Sequence, residues 1–135
     1  MLNLSGLDHG RDLSQLGLRL LTGSFLMHET LDNIVSPARM QEFVGFMTQF
    51  GFPAPNLMAP LGVWVQFISG ALLVLGLFTR WAGLAVAATF VVAVAMVHFA
   101  EPYRGWWPAI VLVFIGAHFA THGAGRWSVD GWRAK

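Results

Sequence analysis

The sequence predicts an all-α membrane protein, a single four-transmembrane-helix bundle over residues 1–135, and three observations carry that prediction. Only 11% of the residues are Asp, Glu, Lys or Arg, where a soluble domain carries about a quarter. Hydrophobic residues make up 56% of the chain and the mean hydropathy is +0.59. Long apolar runs also recur between short turns, each near the roughly 20 residues that one helix needs to cross a bilayer core.

The first expected span, 13–34, is the most polar, because it carries Arg19, His28, Glu29 and Asp32. A charge at mid-bilayer costs at least about 2.5–3.5 kcal/mol, so this helix must turn those groups toward other helices, water or the interface. Ser36 and Pro37 then read as a helix start, an N-cap oxygen followed by proline at the first helical position. Met40, Phe43, Phe46, Met47 and Phe50 recur at helical spacing opposite Arg39, Gln41, Glu42 and Gln49, which predicts an amphipathic interfacial helix over 37–50 that Gly51 and Pro53 end.

Three cleaner spans follow at 60–79, 81–100 and 105–122. Their interior polar residues are few, chiefly Gln66, Thr89, His98, His118 and His122. Basic residues set the orientation, since Arg and Lys concentrate on the cytoplasmic side. Arg11, Arg80, Arg126, Arg133 and Lys135 fall on one side against Arg39 and Arg104 on the other, which places both termini inside. Trp64, Trp106 and Trp107 then mark the outer interface, and Trp81, Trp127 and Trp132 the inner one. No basic stretch precedes a short apolar run, so the first apolar segment is expected to remain as a span.

Small residues punctuate every span, among them Gly17, Gly23, Ser24, Ser69, Gly70, Gly76, Gly83, Ala87, Gly116 and Ala120. Such positions let helix backbones approach closely, which predicts a compact bundle and not an open pore. A formal net charge of +1 with scattered basic residues leaves no footprint for nucleic acid. The absence of cysteine excludes disulfides, thiolate catalysis, iron–sulfur ligation and c-type haem attachment within the chain.

Four features, a His late in span one (Phe25 to His28), the run GALLVLGLFTR (Gly70 to Arg80), His98 ending span three and the tail GAGRWSVD (Gly123 to Asp130), resemble the DoxX family of small four-helix membrane proteins. The tail is the most specific of them. The resemblance implies a bacterial cytoplasmic (inner) membrane protein associated with quinone-linked redox systems, such as thiosulfate:quinone oxidoreductase, or with oxidative-stress complexes. The chain departs from the pattern in two places. Glu29 follows the span-one His where many members have Gly and then a basic residue, and Gln66 stands where many carry an acid. An amide does not titrate, so no proton-handling role transfers to Gln66.

At 1.5 Å rise per residue, His28 and Gln66 both fall about 9 Å below the outer interface and His98 about 3 Å below it. With Glu29 and Asp32 they form a candidate outer cluster for a quinone head group, in which Asp32 sits four residues from His28 and orients it. The plainer alternative is that these groups satisfy one another and cap helix ends. Arg19, His118 and His122 form a candidate inner cluster, near Arg80 and Arg126, for which the structural reading is favoured. There His122 caps a helix end and Arg19 snorkels inward. His118 and His122 have the spacing of a metal-binding pair, but no Asp, Glu or Cys in the last span completes a metal site. Bis-His haem is disfavoured by the tight packing that the small residues imply.

Three functions fit: an accessory subunit of a membrane redox complex, packing against partner subunits with a possible quinone or lipid contact; a catalytic quinone-reducing subunit; and a small dimeric proton-coupled exporter. The accessory reading asks least of the residues. An exporter needs a carboxylate reached from both sides, and Glu29 lies near the outer end of its span.

Overall fold

The computed structural model describes residues 4–96 and 103–133, with side chains from Trp107 onward in the second stretch. Among the described residues there are helices and turns and no strand. A 3-10 turn, Ser5–Gly10, leads into α1 (Arg11–Val35), followed by α2 (Pro37–Gln49), α3 (Pro55–Leu75), α4 (Thr79–Met96), α5 (Tyr103–His122) and the short α6 (Val129–Arg133).

The boundaries have local causes. Ser36 caps α2 by accepting a hydrogen bond from the Arg39 N–H, with Pro37 at the first turn. The third helix starts at Pro55, five residues before the expected Pro60, because Ala54 takes the left-handed conformation and offers its carbonyl to the Leu57 and Met58 N–H groups. It also ends earlier than the expected Thr79. Gly76 turns left-handed with φ 69°, and the Leu77 and Gly76 N–H groups bond back to the Leu72 and Leu73 carbonyls at 2.9 and 3.2 Å. The expected span 60–79 is therefore corrected to 55–75: Gly76, one of several glycines in an apolar run, is a helix terminator and not only a packing contact.

Packing joins the helices as two close pairs, α1 with α3 and α4 with α5, linked by α3 against α4. The seams are glycines facing glycines. A Cβ on Gly23 would stand 2.5 Å from the Gly70 carbonyl oxygen, and one on Gly70 would stand 2.7 Å from that of Gly23. Gly83 and Gly116 oppose each other in the same way, at 2.6 Å in both directions. Around these seams Leu26, Leu73, Ala82, Val86 and Phe119 form the buried core.

The amphipathic α2 folds across α1 and α3. Its Val44 and Met47 pack on Ala59, with Met40, Phe43, Phe52 and Met58 around them, so much of its apolar face is covered by the chain itself. Phe46 remains exposed.

The outer surface of the pairs is apolar. Among the described residues α3 and α4 are long and apolar enough to cross a membrane, and only 28% and 22% of their most apolar stretches is buried inside the chain. A core helix of a soluble protein would be mostly buried, so these faces require an apolar surrounding. Trp107–His122 forms a shorter apolar helical stretch. Trp64, Trp81, Trp107, Trp127 and Trp132 all face outward, and Trp106 lies among the residues without described side chains.

The glycine seams predict a contrast between two equal substitutions. Gly83→Ala should lower stability in detergent by about 1–3 kcal/mol, because the added methyl meets backbone atoms of Gly116 and Ala120. Gly17→Ala, with open space around it, should instead be neutral or gain up to about 1 kcal/mol from helix propensity. Thermal or denaturant unfolding of both variants checks the contrast.

Candidate functional site

Two polar regions lie at opposite ends of the bundle. At the Gly76 end, Arg19 on α1 is only 1% exposed, the bulkiest fully buried side chain among the described residues. Its Nη1 donates to the Leu73 carbonyl at 3.0 Å, near the end of α3, and its Nη2 donates to the Trp127 carbonyl in the tail. No carboxylate lies within 4.0 Å of it among the described ion pairs, which are Arg11–Asp8 and Arg39–Glu42. Asp130 is the acid whose charge acts on Arg19.

Asp130 is itself committed to backbone. Its two carboxylate oxygens accept from the Phe78 and Thr79 N–H groups at 2.9 and 2.8 Å, capping the start of α4, while its own N–H donates to the Gly76 carbonyl at 2.8 Å. Phe78 sits in the left-handed region with φ 48°, a conformation that costs a non-glycine residue on the order of 1–3 kcal/mol. The Asp130 bond helps hold it there, and the Arg133 guanidinium lies 5.6 Å from the centre of its ring. Gly76 has no substitute in this arrangement, since a Cβ there would overlap Arg19 Nη1 and the Ser128 Cβ.

The end of α5 is closed by the same kind of contact. Arg80 donates to the Ala120 and Thr121 carbonyls, and Gln15 Nε2 donates to the Gly123 carbonyl at 2.6 Å. Gln15 Oε1 also meets His118 Nε2 at 2.8 Å. Asp12 accepts from the Arg126 N–H, and Ser128 Oγ accepts from the Gly131 N–H to cap α6. The His118 and His122 rings stack at 4.3 Å, and His122 Nδ1 lies 3.2 Å from the His118 carbonyl oxygen. In the structure Arg19 does not snorkel to the interface; it is buried against carbonyls, because the tail folds over it. Asp12, Gln15 and Asp130 are the partners that sequence reasoning missed. Gln15 could have been suspected from its place one turn before Arg19 on the same helix face.

At the α2 end, a groove of about 510 Å³ opens between α1, α2, α3 and α4. Phe43, Phe46, Phe52, Phe90, Met47 and Met58 wall it, and Glu29, Thr30, Asn33, Gln66 and Thr89 supply its polar groups. Thr30 and Thr89 donate their hydroxyl protons to carbonyls of their own helices, Leu26 at 2.7 Å and Ala85 at 2.8 Å. Asn33 donates to the Arg39 carbonyl at 3.2 Å.

Of the five residues expected in an outer cluster, this groove gathers Glu29 and Gln66. His28 and Asp32 are exposed, do not line the groove, and share no hydrogen bond with each other among the described contacts. They fall outside it because the groove meets α1 along Glu29, Thr30 and Asn33, and at 3.6 residues per turn His28 and Asp32 lie on the other side of Glu29, about 100° and about 60° around the helix. His98 lies outside the described residues. The groove's volume is that of a small-molecule pocket, which is commonly 300–1,000 Å³ and apolar with a few polar groups.

The Gly76 end predicts that Asp130→Ala costs about 1–2 kcal/mol of stability, the loss of an N-cap, with Asp130→Asn costing less because its amide oxygen still accepts. Unfolding in detergent measures both. Equal losses would show that one accepting oxygen does not hold the Phe78 and Thr79 N–H groups and that the two carboxylate oxygens act together.

Comparison with family models matches residues 14–99 to DoxX. No match is found among curated proteins or among solved structures. The matched stretch holds Arg19, Gly76 and every groove residue, while α5 and the tail that closes over Arg19 lie beyond it. With more than half of its length matched, the chain belongs to the DoxX family of membrane proteins.

Proposed function

We propose that this chain is an accessory subunit of a larger quinone-linked redox complex in the bacterial inner membrane. It crosses as four helices, α1, α3, α4 and α5, with both termini cytoplasmic, so that the Gly76 end faces inward and the groove outward. The carrying observation is the apolar surface that α3 and α4 leave uncovered. Lipid and partner helices are the surfaces that cover it. The groove adds a contact for a quinone head group, with Gln66 as hydrogen-bond donor to a quinone oxygen. The absence of cysteine supports an accessory role over a catalytic one, since no thiolate is present to ligate or transfer. The exporter alternative gains no support from Glu29, which lines an opening at one end only while the other end is closed by the Arg19 contacts.

Purification from native membranes in mild detergent should yield the chain with other membrane polypeptides and with extractable quinone. Isolation as a lone dimer that couples transport to protons in liposomes would overturn the accessory reading. The orientation is checked separately, because the chain has no native cysteine. Gly6→Cys and Arg133→Cys should react with an impermeant maleimide in inside-out vesicles, and Asn56→Cys in spheroplasts.

A further inference from the structure

The polar inventory of the groove at the α2 end is unbalanced. Thr30 and Thr89 have already donated their only protons to carbonyls within their own helices, so toward a ligand they can only accept. The Glu29 carboxylate, when ionised, accepts only, and it makes no hydrogen bond or ion pair among the described contacts. Asn33 has one amide proton engaged by the Arg39 carbonyl. Gln66, half-buried and without a hydrogen-bond partner among the described residues, offers both an N–H and a carbonyl oxygen.

A ligand matched to this set must donate as well as accept. We propose that the groove selects the reduced, quinol form of its ligand over the oxidised quinone, with a quinol hydroxyl donating to Glu29 and an oxygen accepting from Gln66. The proposal rests on the reading of the groove as a quinone contact and adds the redox form that it holds.

A quinone carries acceptor oxygens alone. It satisfies the Gln66 N–H but presents lone pairs to the Glu29 carboxylate. An organic cation answers the charge of Glu29 but offers the Gln66 N–H no acceptor, and it places a charge among the Phe and Met side chains that wall the groove. A hydroxylated aromatic ring meets both polar groups while its faces lie against those apolar walls. A hydrogen bond to a charged acceptor favours the donor ligand by about tenfold in affinity.

The test uses the full chain in nanodiscs, kept anaerobic, titrated with decylubiquinol, with decylubiquinone, and with tetraphenylphosphonium as a cation of comparable bulk. Quinol binding about tenfold tighter than quinone is the expected result. Glu29→Gln, at an exposed position that leaves the core untouched, should bring the two affinities within about twofold, since an amide both donates and accepts. Gln66→Leu should weaken both. Equal binding of quinol and quinone by the unaltered chain, or an undiminished preference in Glu29→Gln, overturns the selectivity and leaves the quinone contact standing. Binding of neither overturns the quinone contact itself, and binding of tetraphenylphosphonium in place of both assigns the groove to cations.

Discussion

The Arg19 guanidinium is the contact through which the Gly76 end is organised. Buried and away from any carboxylate within ion-pair distance, it is held by carbonyls from the end of α3 and from the tail. The Leu73 carbonyl belongs to the last turn of α3, where it also accepts the Gly76 N–H, and the Trp127 carbonyl belongs to the tail just before α6. The long cationic side chain from α1 donates to both and so joins the end of one helix to the tail. The same contact fixes the tail over Gly76, which brings Asp130 to the first amides of α4. One buried charge thus ties α1, the end of α3, the start of α4 and the tail together.

This solution suits the solvent that the chain requires. In an apolar surrounding an unpaired backbone group costs several kcal/mol, and no water is at hand to satisfy it. Arg80 and Gln15 serve the end of α5, Asp130 the start of α4, and Arg19 the end of α3. The polar side chains that bond backbone groups across this end of the bundle thus act where helices begin and end. Along the helices, where amides pair internally, glycine seams replace polar contacts and let backbones meet at van der Waals distance.

Much of the architecture was legible because helices leave local marks. Ser36 and Pro37 announce α2, and Gly23, Gly70, Gly83 and Gly116 are recognisable as packing positions before their partners are known. Pairing across the chain leaves no such mark. GALLVLGLFTR and GAGRWSVD stand out as separate motifs in the sequence, yet in the fold they are two halves of one contact, joined by Asp130 to Gly76, Phe78 and Thr79. Nothing periodic links residues some fifty positions apart. The outer cluster was legible in part for a related reason. Depth follows from counting residues and groups His28, Glu29, Asp32 and Gln66 near one end, and of these Glu29 and Gln66 line the same groove. Azimuth depends on which way α1 is rotated against α3, and the Gly23–Gly70 seam sets that rotation, so that Glu29 faces the groove while His28 and Asp32 are exposed outside it.

The two ends of the bundle therefore make opposite use of polar groups. At the Gly76 end nearly every donor and acceptor named above is matched within the chain, with Arg19 Nε and the Thr79 hydroxyl as the buried exceptions. At the α2 end, Glu29 and Gln66 keep their hydrogen-bonding capacity beside an apolar groove. Matched polar groups rigidify and specify a structure, whereas unmatched ones beside a cavity are available to a ligand. A substitution at the Gly76 end should accordingly act through folding, and one in the groove through binding. That separation lets stability and ligand affinity be read independently in this small chain, because the groove residues Glu29 and Gln66 share no hydrogen bond with Arg19, Gln15 or Asp130.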